Sequence, residues 1–265
     1  MPEGHSIYRY ASHHHDLFAG HQVIATSPQG RFRGGAARIS GRQLLDVAAH
    51  GKHLFYHWQR AETLHIHLGL YGRFRTFQTD PPPPTPGTRL TLSTDGVSVY
   101  LAGPSVCELI PPSGEEAIRA RLGPDPLQAG ARGHTVAEFA ANLTRRRIPI
   151  GAAVLDQSVV AGIGNIYRAE ALFLTGINPN QPANEIATQQ ALALWDKSVE
   201  LLERGVREGK ISTLPRAPRG RSKETDRLFV YKRDRFPCRQ CGGAIRTGEM
   251  ANRSIWWCPT CQPLA

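Results

Sequence analysis

The sequence predicts an α+β fold, with a β-rich N-terminal part followed by a helical part and a small cysteine-rich hairpin. Three observations lead to this prediction. Apolar residues alternate with period two in stretches between residues 63 and 101, and they recur with helical spacing between residues 134 and 204. Four of the five cysteines form two Cys-x-x-Cys pairs near the end. A chain of 265 residues can bury a sizeable core in one or two domains.

The first predicted element is a helix over residues 3–19, which Gly20 ends, and its run His13-His14-His15 is predicted to be helix surface and turn. Pro2 and Glu3 suit a first helical turn and its dipole, and by themselves they favour this plain interpretation. They also fit a reactive N-terminus. Once Met1 is excised, the α-amine of Pro2 has a pKa near 7.7–8.0, against about 10.4 for lysine, so part of it is a neutral nucleophile at pH 7.

Strands are predicted downstream of this helix. Leu64, Ile66 and Leu68 alternate with polar residues, which is typical of a half-buried strand. Asp95-Gly96 lies between two further alternating runs and indicates a β-hairpin. The proline- and glycine-rich segment 123–133 predicts a domain boundary.

Beyond this boundary the periodicity becomes helical. Thr135 and Glu138 have the spacing of a capping box at a helix start. Further helices are predicted at about 151–160, 165–175 and 184–204, and Gly205 is predicted to end the last one. Residues 209–227, rich in Arg, Gly, Pro and Ser, are predicted to form a long mobile loop.

The cysteine pairs predict a metal site. Cys238-x2-Cys241 and Cys258-x2-Cys261 are separated by 16 residues, enough for a two-stranded hairpin. Four thiolates suit tetrahedral Zn²⁺ and leave no position for water, so one structural zinc is predicted. Two disulfides fit the paired spacing less well, and the odd cysteine count indicates a reducing compartment.

The charge distribution indicates a polyanionic partner. The formal net charge is +10, and residues 207–253 contain 13 Lys or Arg against 5 Asp or Glu. Nucleic acid is the favoured partner for such a basic segment. No apolar run approaches the roughly 20 residues of a membrane span, so no membrane partner is expected. The protein is expected in the cytoplasm, associated with DNA.

Five motifs occur in a fixed order: MPEGH at the start, GKHLF at 51–55, HLGLYG at 67–72, DQSVVAGIGNIYRAEALF at 156–173 and the cysteine quartet. Together they closely resemble the formamidopyrimidine-DNA glycosylase/endonuclease VIII family of base-excision repair enzymes. The resemblance implies an N-terminal catalytic β-sandwich domain (1–122), a helix-two-turns-helix DNA-binding domain with a lesion loop (134–227) and a zinc finger (228–265). Damaged duplex DNA is the implied substrate, bound by a monomer.

The resemblance also implies catalytic roles for three residues. Pro2 matches the nucleophile that attacks C1′, displaces the base and forms a Schiff base, after which β- and δ-elimination cut the strand. Glu3 matches the adjacent general acid/base, and Lys52 matches a lysine near the damaged nucleotide and its phosphate. The target nucleotide must be flipped out of the stack to reach them.

DNA-binding roles are implied for five more residues. Asn165 matches an asparagine that grips a phosphate at a helix start, and Arg253 matches the phosphate-binding arginine of the zinc finger. His67 is a weaker candidate for a phosphate contact, and a satisfied histidine on the outer face of a strand is an equal alternative. Leu70 and Tyr71 match the wedge that fills the space left by the flipped base.

The substrate preference depends on finer features. The Leu70-Tyr71 pair resembles the endonuclease VIII branch, which removes oxidised pyrimidines, whereas Ser6 departs from the glutamate common there. One alternative is the same chemistry on oxidised purines such as 8-oxoguanine and formamidopyrimidine. Another is a non-catalytic zinc-ribbon DNA-binding protein, against which the intact Pro2, Glu3 and Lys52 argue.

Overall fold

The structure, a computed structural model, describes residues 2–59, 62–215 and 223–264. The chain divides into two compact units, Met1–Arg121 and Leu122–Ala265. The first is a β-sandwich with helices, and the second contains helices and a cysteine-rich hairpin, which confirms the predicted α+β class. The predicted division of the second unit at residue 228 stays a prediction. Within the described ranges, no helix combines the length and apolarity needed to span a membrane.

The described residues of the first unit form eight strands and three helices. The strands are β1 (Gln22–Thr26), β2 (Arg42–His50), β3 (His53–Trp58), β4 (Thr63–His67), β5 (Arg73–Gln78), β6 (Thr88–Thr94), β7 (Val97–Ala102) and β8 (Val106–Ile110). The helices are α1 (Gly4–Phe18), α2 (Arg33–Ile39) and α3 (Pro112–Ala120), of which only α1 was predicted. The predicted Asp95-Gly96 hairpin is confirmed, since β6 and β7 flank it and pair antiparallel.

The strands form two four-stranded halves, β5-β7-β6-β1 and β2-β3-β4-β8. β1 and β2 join the halves through only two residue pairs, Gln22 with Gln43 and Val23 with Arg42. Both halves contribute fully buried apolar side chains to one core, for example Leu54, Ile66 and Leu92. Burial of these side chains provides most of the stability of the sandwich.

The run His13-His14-His15 on α1 is not only helix surface and turn, as the sequence suggested. His14 is fully buried, and its Nδ1 lies 2.7 Å from the hydroxyl of Tyr56 on β3. Burial lowers the pKa of His14 to about 3, so the ring is neutral and can make this hydrogen bond. A polar residue in a helical run was misassigned because its partner is 42 residues away in the chain.

β4 also differs from the prediction of a half-buried strand. Thr63 is 5% exposed and His65 is 2% exposed, although both lie on the face assigned to solvent. The low exposure is due to α3, which covers this face. The Thr63 hydroxyl donates a hydrogen bond to the Glu115 carboxylate on α3 at 3.1 Å. Period-two alternation separates polar from apolar side chains, but it does not show what covers the polar face.

In the second unit, residues 122–215 and 223–264 form four α-helices and one hairpin. The helices are α4 (Val136–Thr144), α5 (Ile150–Ala153), α6 (Asn165–Leu174) and α7 (Thr188–Glu208), and the strands are β9 (Arg246–Met250) and β10 (Arg253–Trp257). The capping box at the start of α4 is confirmed by bonds in both directions between Thr135 and Glu138. The hairpin is closed by Ala251 and Asn252, both at positive φ, as a tight two-residue turn requires.

Two helix boundaries differ from the prediction. The helix expected over 151–160 is only the four residues of α5, because local side-chain bonds replace helical ones: Asp156 accepts from the Ser158 N–H at 2.9 Å. α7 continues past Gly205, which is buried inside it, and ends at Gly209 with φ 69°. Residues 216–222 of the predicted loop 209–227 lie outside the described residues.

Candidate functional site

The N-terminal end of α1 places Pro2 and Glu3 at the positive end of the helix dipole. Pro2 is half-buried, and Glu3 is the N-cap residue with 0% exposure. Ser6 holds this end in place. Its hydroxyl accepts from the Glu3 N–H at 3.2 Å and donates to the Glu3 carbonyl oxygen at 2.8 Å. Ser6, which replaces the glutamate expected at this position, therefore stabilises the start of α1.

Lys52 lies in the tight turn between β2 and β3, where Gly51 has a positive φ of 56°. Lys52 is half-buried and lies close enough to His67 to act on it electrostatically. Burial, with Lys52 as the next cause, lowers the pKa of His67 to about 4. His67 Nδ1 accepts from the Gly69 N–H at 3.1 Å, so its ring proton is on Nε2. The structure thus brings Lys52 and His67 together.

Leu70 and Tyr71 project from the connection between β4 and β5, with exposures of 43% and 83%. Glycines fix both ends of this connection. Gly69 has a φ of 64°, and a Cβ on Gly72 would lie 2.3 Å from the Leu68 carbonyl oxygen. The two side chains are thus held at the surface of the first unit with much of their apolar area accessible to solvent.

Asn165 begins α6 in the second unit, as predicted, but its side chain is only 6% exposed. Its Nδ2 donates to the Ser254 carbonyl oxygen on β10 at 3.1 Å, and its Oδ1 accepts from Arg168. The structure therefore brings Asn165 next to the strand that Arg253 begins. Arg253 directly follows the hairpin turn and is half-buried.

Arg168 was missed in the sequence. It is fully buried and donates to the carbonyl oxygens of Gly151 at 3.2 Å, Met250 at 3.3 Å and Ser254 at 2.8 Å. One guanidinium thus ties α5, α6 and the hairpin together. A signal for it existed: apart from Asn165, Arg168 and Glu170, α6 consists of apolar residues and one tyrosine, and charged residues in so apolar a helix are expected to be buried and paired.

Glu170 on α6 was also missed, and it organises the chain that leads into the cysteine hairpin. It is fully buried, and its carboxylate accepts from the backbone N–H groups of Phe229 at 2.7 Å, Val230 at 2.8 Å and Tyr231 at 2.9 Å. The hydroxyl of Thr213 donates to it as well. Glu170 therefore holds together two segments that are distant in sequence.

Replacing Glu170 with alanine is expected to lower the free energy of unfolding by about 3–5 kcal/mol, because several buried donors lose their acceptor. Urea denaturation of the full chain measures this change. Glu203→Ala is the matched control: Glu203 is an exposed partner of Arg207 on α7, 3.9 Å away, and should change stability by less than about 0.5 kcal/mol. Equal midpoints for the two variants would contradict the role of Glu170.

The four paired cysteines form a compact cluster at the end of the second unit. Their Sγ atoms all lie within 4.8 Å of one another, with Cys238–Cys261 at 3.8 Å and Cys241–Cys258 at 3.5 Å. A tetrahedron of sulfurs about 2.3 Å from Zn²⁺ has edges of about 3.8 Å, whereas a disulfide bond is only about 2.05 Å. The cluster therefore fits a four-coordinate metal ion rather than two disulfides.

Comparison with known proteins identifies the family. Residues 1–105 match the formamidopyrimidine-DNA glycosylase N-terminal domain, and residues 122–216 match the formamidopyrimidine-DNA glycosylase H2TH domain. Endonuclease 8 1 of Mycobacterium tuberculosis is 41% identical over 270 residues, covering 99% of this chain and 100% of that protein. Formamidopyrimidine-DNA glycosylase of Thermus thermophilus is 33% identical over 251 residues, covering 91% and 90%.

Solved structures agree on the fold. The Lactococcus lactis Fpg in complex with abasic-site DNA has a TM-score of 0.83 at 22% identity, covering 99% of this chain and 100% of that one. The sandwich, the helical region and the cysteine cluster thus occur in the expected order. The chain belongs to the formamidopyrimidine-DNA glycosylase/endonuclease VIII family of base-excision repair enzymes, which are DNA glycosylases with AP lyase activity.

Proposed function

We propose that this glycosylase excises oxidised pyrimidines from duplex DNA and cuts the strand through a Schiff base on Pro2. The observation that carries the proposal is the setting of Pro2. It lies half-buried at the positive end of α1, directly beside a carboxyl group that is fully removed from solvent. A nucleophile next to a buried proton donor and acceptor is what base displacement from a sugar requires.

In the proposed reaction, the Pro2 nitrogen forms a bond to C1′ while the bond from C1′ to the base breaks and the base leaves with its electron pair. The C1′–O4′ bond then opens as the iminium forms, and Glu3 supplies the proton to O4′. Loss of a C2′ proton expels the 3′-phosphate by β-elimination, and δ-elimination releases the 5′-phosphate. Every step requires the secondary amine of Pro2, so Met1, which lies outside the described residues, must first be removed.

Lys52 is proposed as the third catalytic residue, acting in strand cleavage beside the damaged nucleotide and its phosphate, and the remaining site residues are proposed to bind DNA or metal. Lys52 and His67 lie together in the first unit, where the ammonium and the Nε2–H of the imidazole can both donate to a phosphate. The N-terminal end of α6 at Asn165 and the Arg253 guanidinium suit further phosphates. The four cysteines are proposed to hold one structural Zn²⁺, and the chain is proposed to act as a monomer.

The pyrimidine preference rests on Leu70 and Tyr71. Their exposure allows them to enter a duplex and stack in the space that a flipped nucleotide leaves, which offsets part of an unstacking cost of a few kcal/mol. The 41% identity to a protein named endonuclease 8 1, against 33% to one named formamidopyrimidine-DNA glycosylase, supports the same assignment.

A panel of duplexes tests both parts of the proposal. Duplexes that carry thymine glycol, 5-hydroxyuracil, 8-oxoguanine, formamidopyrimidine or an abasic site are incubated with the Met1-free protein, with and without borohydride. We expect covalent trapping on the abasic duplex, adduct mass on the N-terminal peptide, and fastest excision of the two pyrimidine lesions. Fastest excision of 8-oxoguanine opposite cytosine would instead establish the oxidised-purine alternative, and a lack of any base release would establish the non-catalytic one.

A further inference from the structure

Five histidines lie on one face of the sheet formed by β2, β3 and β4, around the turn that carries Lys52. We call them the histidine array: His50, His53, His57, His65 and His67. Cross-strand pairing aligns them, since His50 pairs with His53 and His53 pairs with His67. So dense a group of titratable side chains is not needed to build a sandwich core, and the proposed chemistry uses only His67 among them.

One hydrogen-bond chain runs through the array from β8. His65 Nδ1 lies 3.1 Å from a carboxylate oxygen of Glu108, and His65 Nε2 lies 2.9 Å from His53 Nδ1. A carboxylate can only accept, so His65 carries its proton on Nδ1 and accepts at Nε2. His53 Nδ1 must then be the donor. Glu108 thereby fixes the tautomer and the orientation of both rings.

A second anchor holds the other end of the turn. Arg119 on α3 donates to His50 Nδ1 at 3.2 Å. The Arg119 Nε in turn donates to a carboxylate oxygen of Glu115 at 2.9 Å, which fixes the guanidinium. His50 is the last residue of β2 and His53 is the first of β3. Both residues that flank Gly51-Lys52 are therefore tied, through side chains, to β8 and α3.

The hydrogen-bond chain requires a neutral His65, because a protonated histidine has no nitrogen that could accept from His53. Burial, followed by the neighbouring charges, lowers the pKa of His53 to about 3, and burial lowers the pKa of His65 although Glu108 acts in the opposite direction. His53, His65 and His67 are thus uncharged at neutral pH, beside several cations. The titratable and charged groups facing it are Asp46, Lys52, Glu108, Glu115, Arg119 and Arg121.

We propose that Glu108, His65 and His53 are positioning residues that act through Lys52, by holding the Gly51-Lys52 turn in the orientation the reaction needs. This inference rests on the proposed function, since it presupposes a role for Lys52 in strand cleavage. The hydrogen bond from Arg119 to His50 holds the other end of the same turn. Groups that hold a reacting group in place affect the rate of the chemical step more than the affinity for substrate.

Glu108 allows a clean test because its side chain is 54% exposed, so its replacement does not disturb the core. Glu108→Leu removes the acceptor for His65, whereas Glu108→Gln keeps an acceptor oxygen. On an abasic duplex, we expect kcat to fall about tenfold in Glu108→Leu with KM within about twofold of the parent, and to be restored in Glu108→Gln. The matched control is Glu116→Leu, which removes an exposed carboxylate on α3 and should leave kcat unchanged.

Two further measurements separate positioning from general stability. In a Lys52→Met background, Glu108→Leu should cause no additional loss, because both changes act at the same point. Nitrogen NMR of the imidazoles should show His65 protonated on Nδ1 in the parent and in Glu108→Gln, and a changed tautomer in Glu108→Leu. Additive losses in the double variant, or equal rates for Glu108→Leu and the parent, would overturn the inference. The parent's own borohydride trapping on Pro2 reports separately on the proposed function.

Discussion

Keeping Pro2 in a peptide bond is expected to abolish borohydride trapping and strand cleavage altogether. Insertion of one glycine before Pro2 leaves a Gly-Pro N-terminus after Met1 is excised, so the chain keeps a free amine but loses the secondary amine of proline. An amide nitrogen has no available lone pair, and no iminium can form on it. Gel analysis of trapped complexes with an abasic duplex measures the effect, and binding of the same duplex without reductant should persist.

Lysine amines provide the control for this experiment. Lys197→Met removes a half-buried amine on α7 that pairs with Glu200, and trapping should be unchanged. Lys52→Met should slow the reaction and still yield an adduct on the N-terminal peptide. If trapping survives the glycine insertion and disappears in Lys52→Met, the nucleophile is the lysine and the assignment of Pro2 is wrong.

The elements predicted correctly from the sequence are those whose signals are local. The α4 capping box spans four residues, the β6–β7 hairpin turns on two, and the cysteine pairs each span four. In each case the partners that make the structure are neighbours in the chain, so spacing alone reveals them. The whole-chain order of motifs then identified the family, which no single motif could do.

The burial of His14 and Arg168, which the sequence did not predict, depends on contacts with residues far away in the chain. His14 meets Tyr56 across 42 residues, and Arg168 meets Ser254 across 86. A histidine or arginine in a helix normally lies at the surface, and only tertiary contacts reverse that expectation. The same limit applies at the candidate site: sequence matching pointed to Lys52 and His67, but it did not reveal the hydrogen bonds that hold the turn between β2 and β3.

Disruption of the proposed zinc site is expected to have the largest effect on the second unit. Cys258→Ser removes one thiolate of the cluster at a fully buried position. Structural zinc contributes on the order of 10 kcal/mol to folding of such small sites, and two five-residue strands are at best marginally stable without it. We expect zinc content, measured by elemental analysis, to fall from one ion per chain to nearly none, and amide hydrogens of β9 and β10 to exchange rapidly.

The consequences should reach α6, because Asn165 and Arg168 both donate to the Ser254 carbonyl oxygen on β10. If β10 becomes disordered, Asn165 and Arg168 lose this acceptor and Arg253 is no longer held in place. We therefore expect the affinity for abasic duplex to fall by more than about tenfold, which is the scale of losing one charge-assisted phosphate contact. Cys107→Ser is the matched control: this cysteine lies on β8 in the first unit, where burial raises its pKa to about 12, and zinc content should stay at one. A Cys258→Ser protein that kept its zinc and its slow exchange would show that the four thiolates are not the metal ligands, and that the bond network of Arg168 alone holds the hairpin.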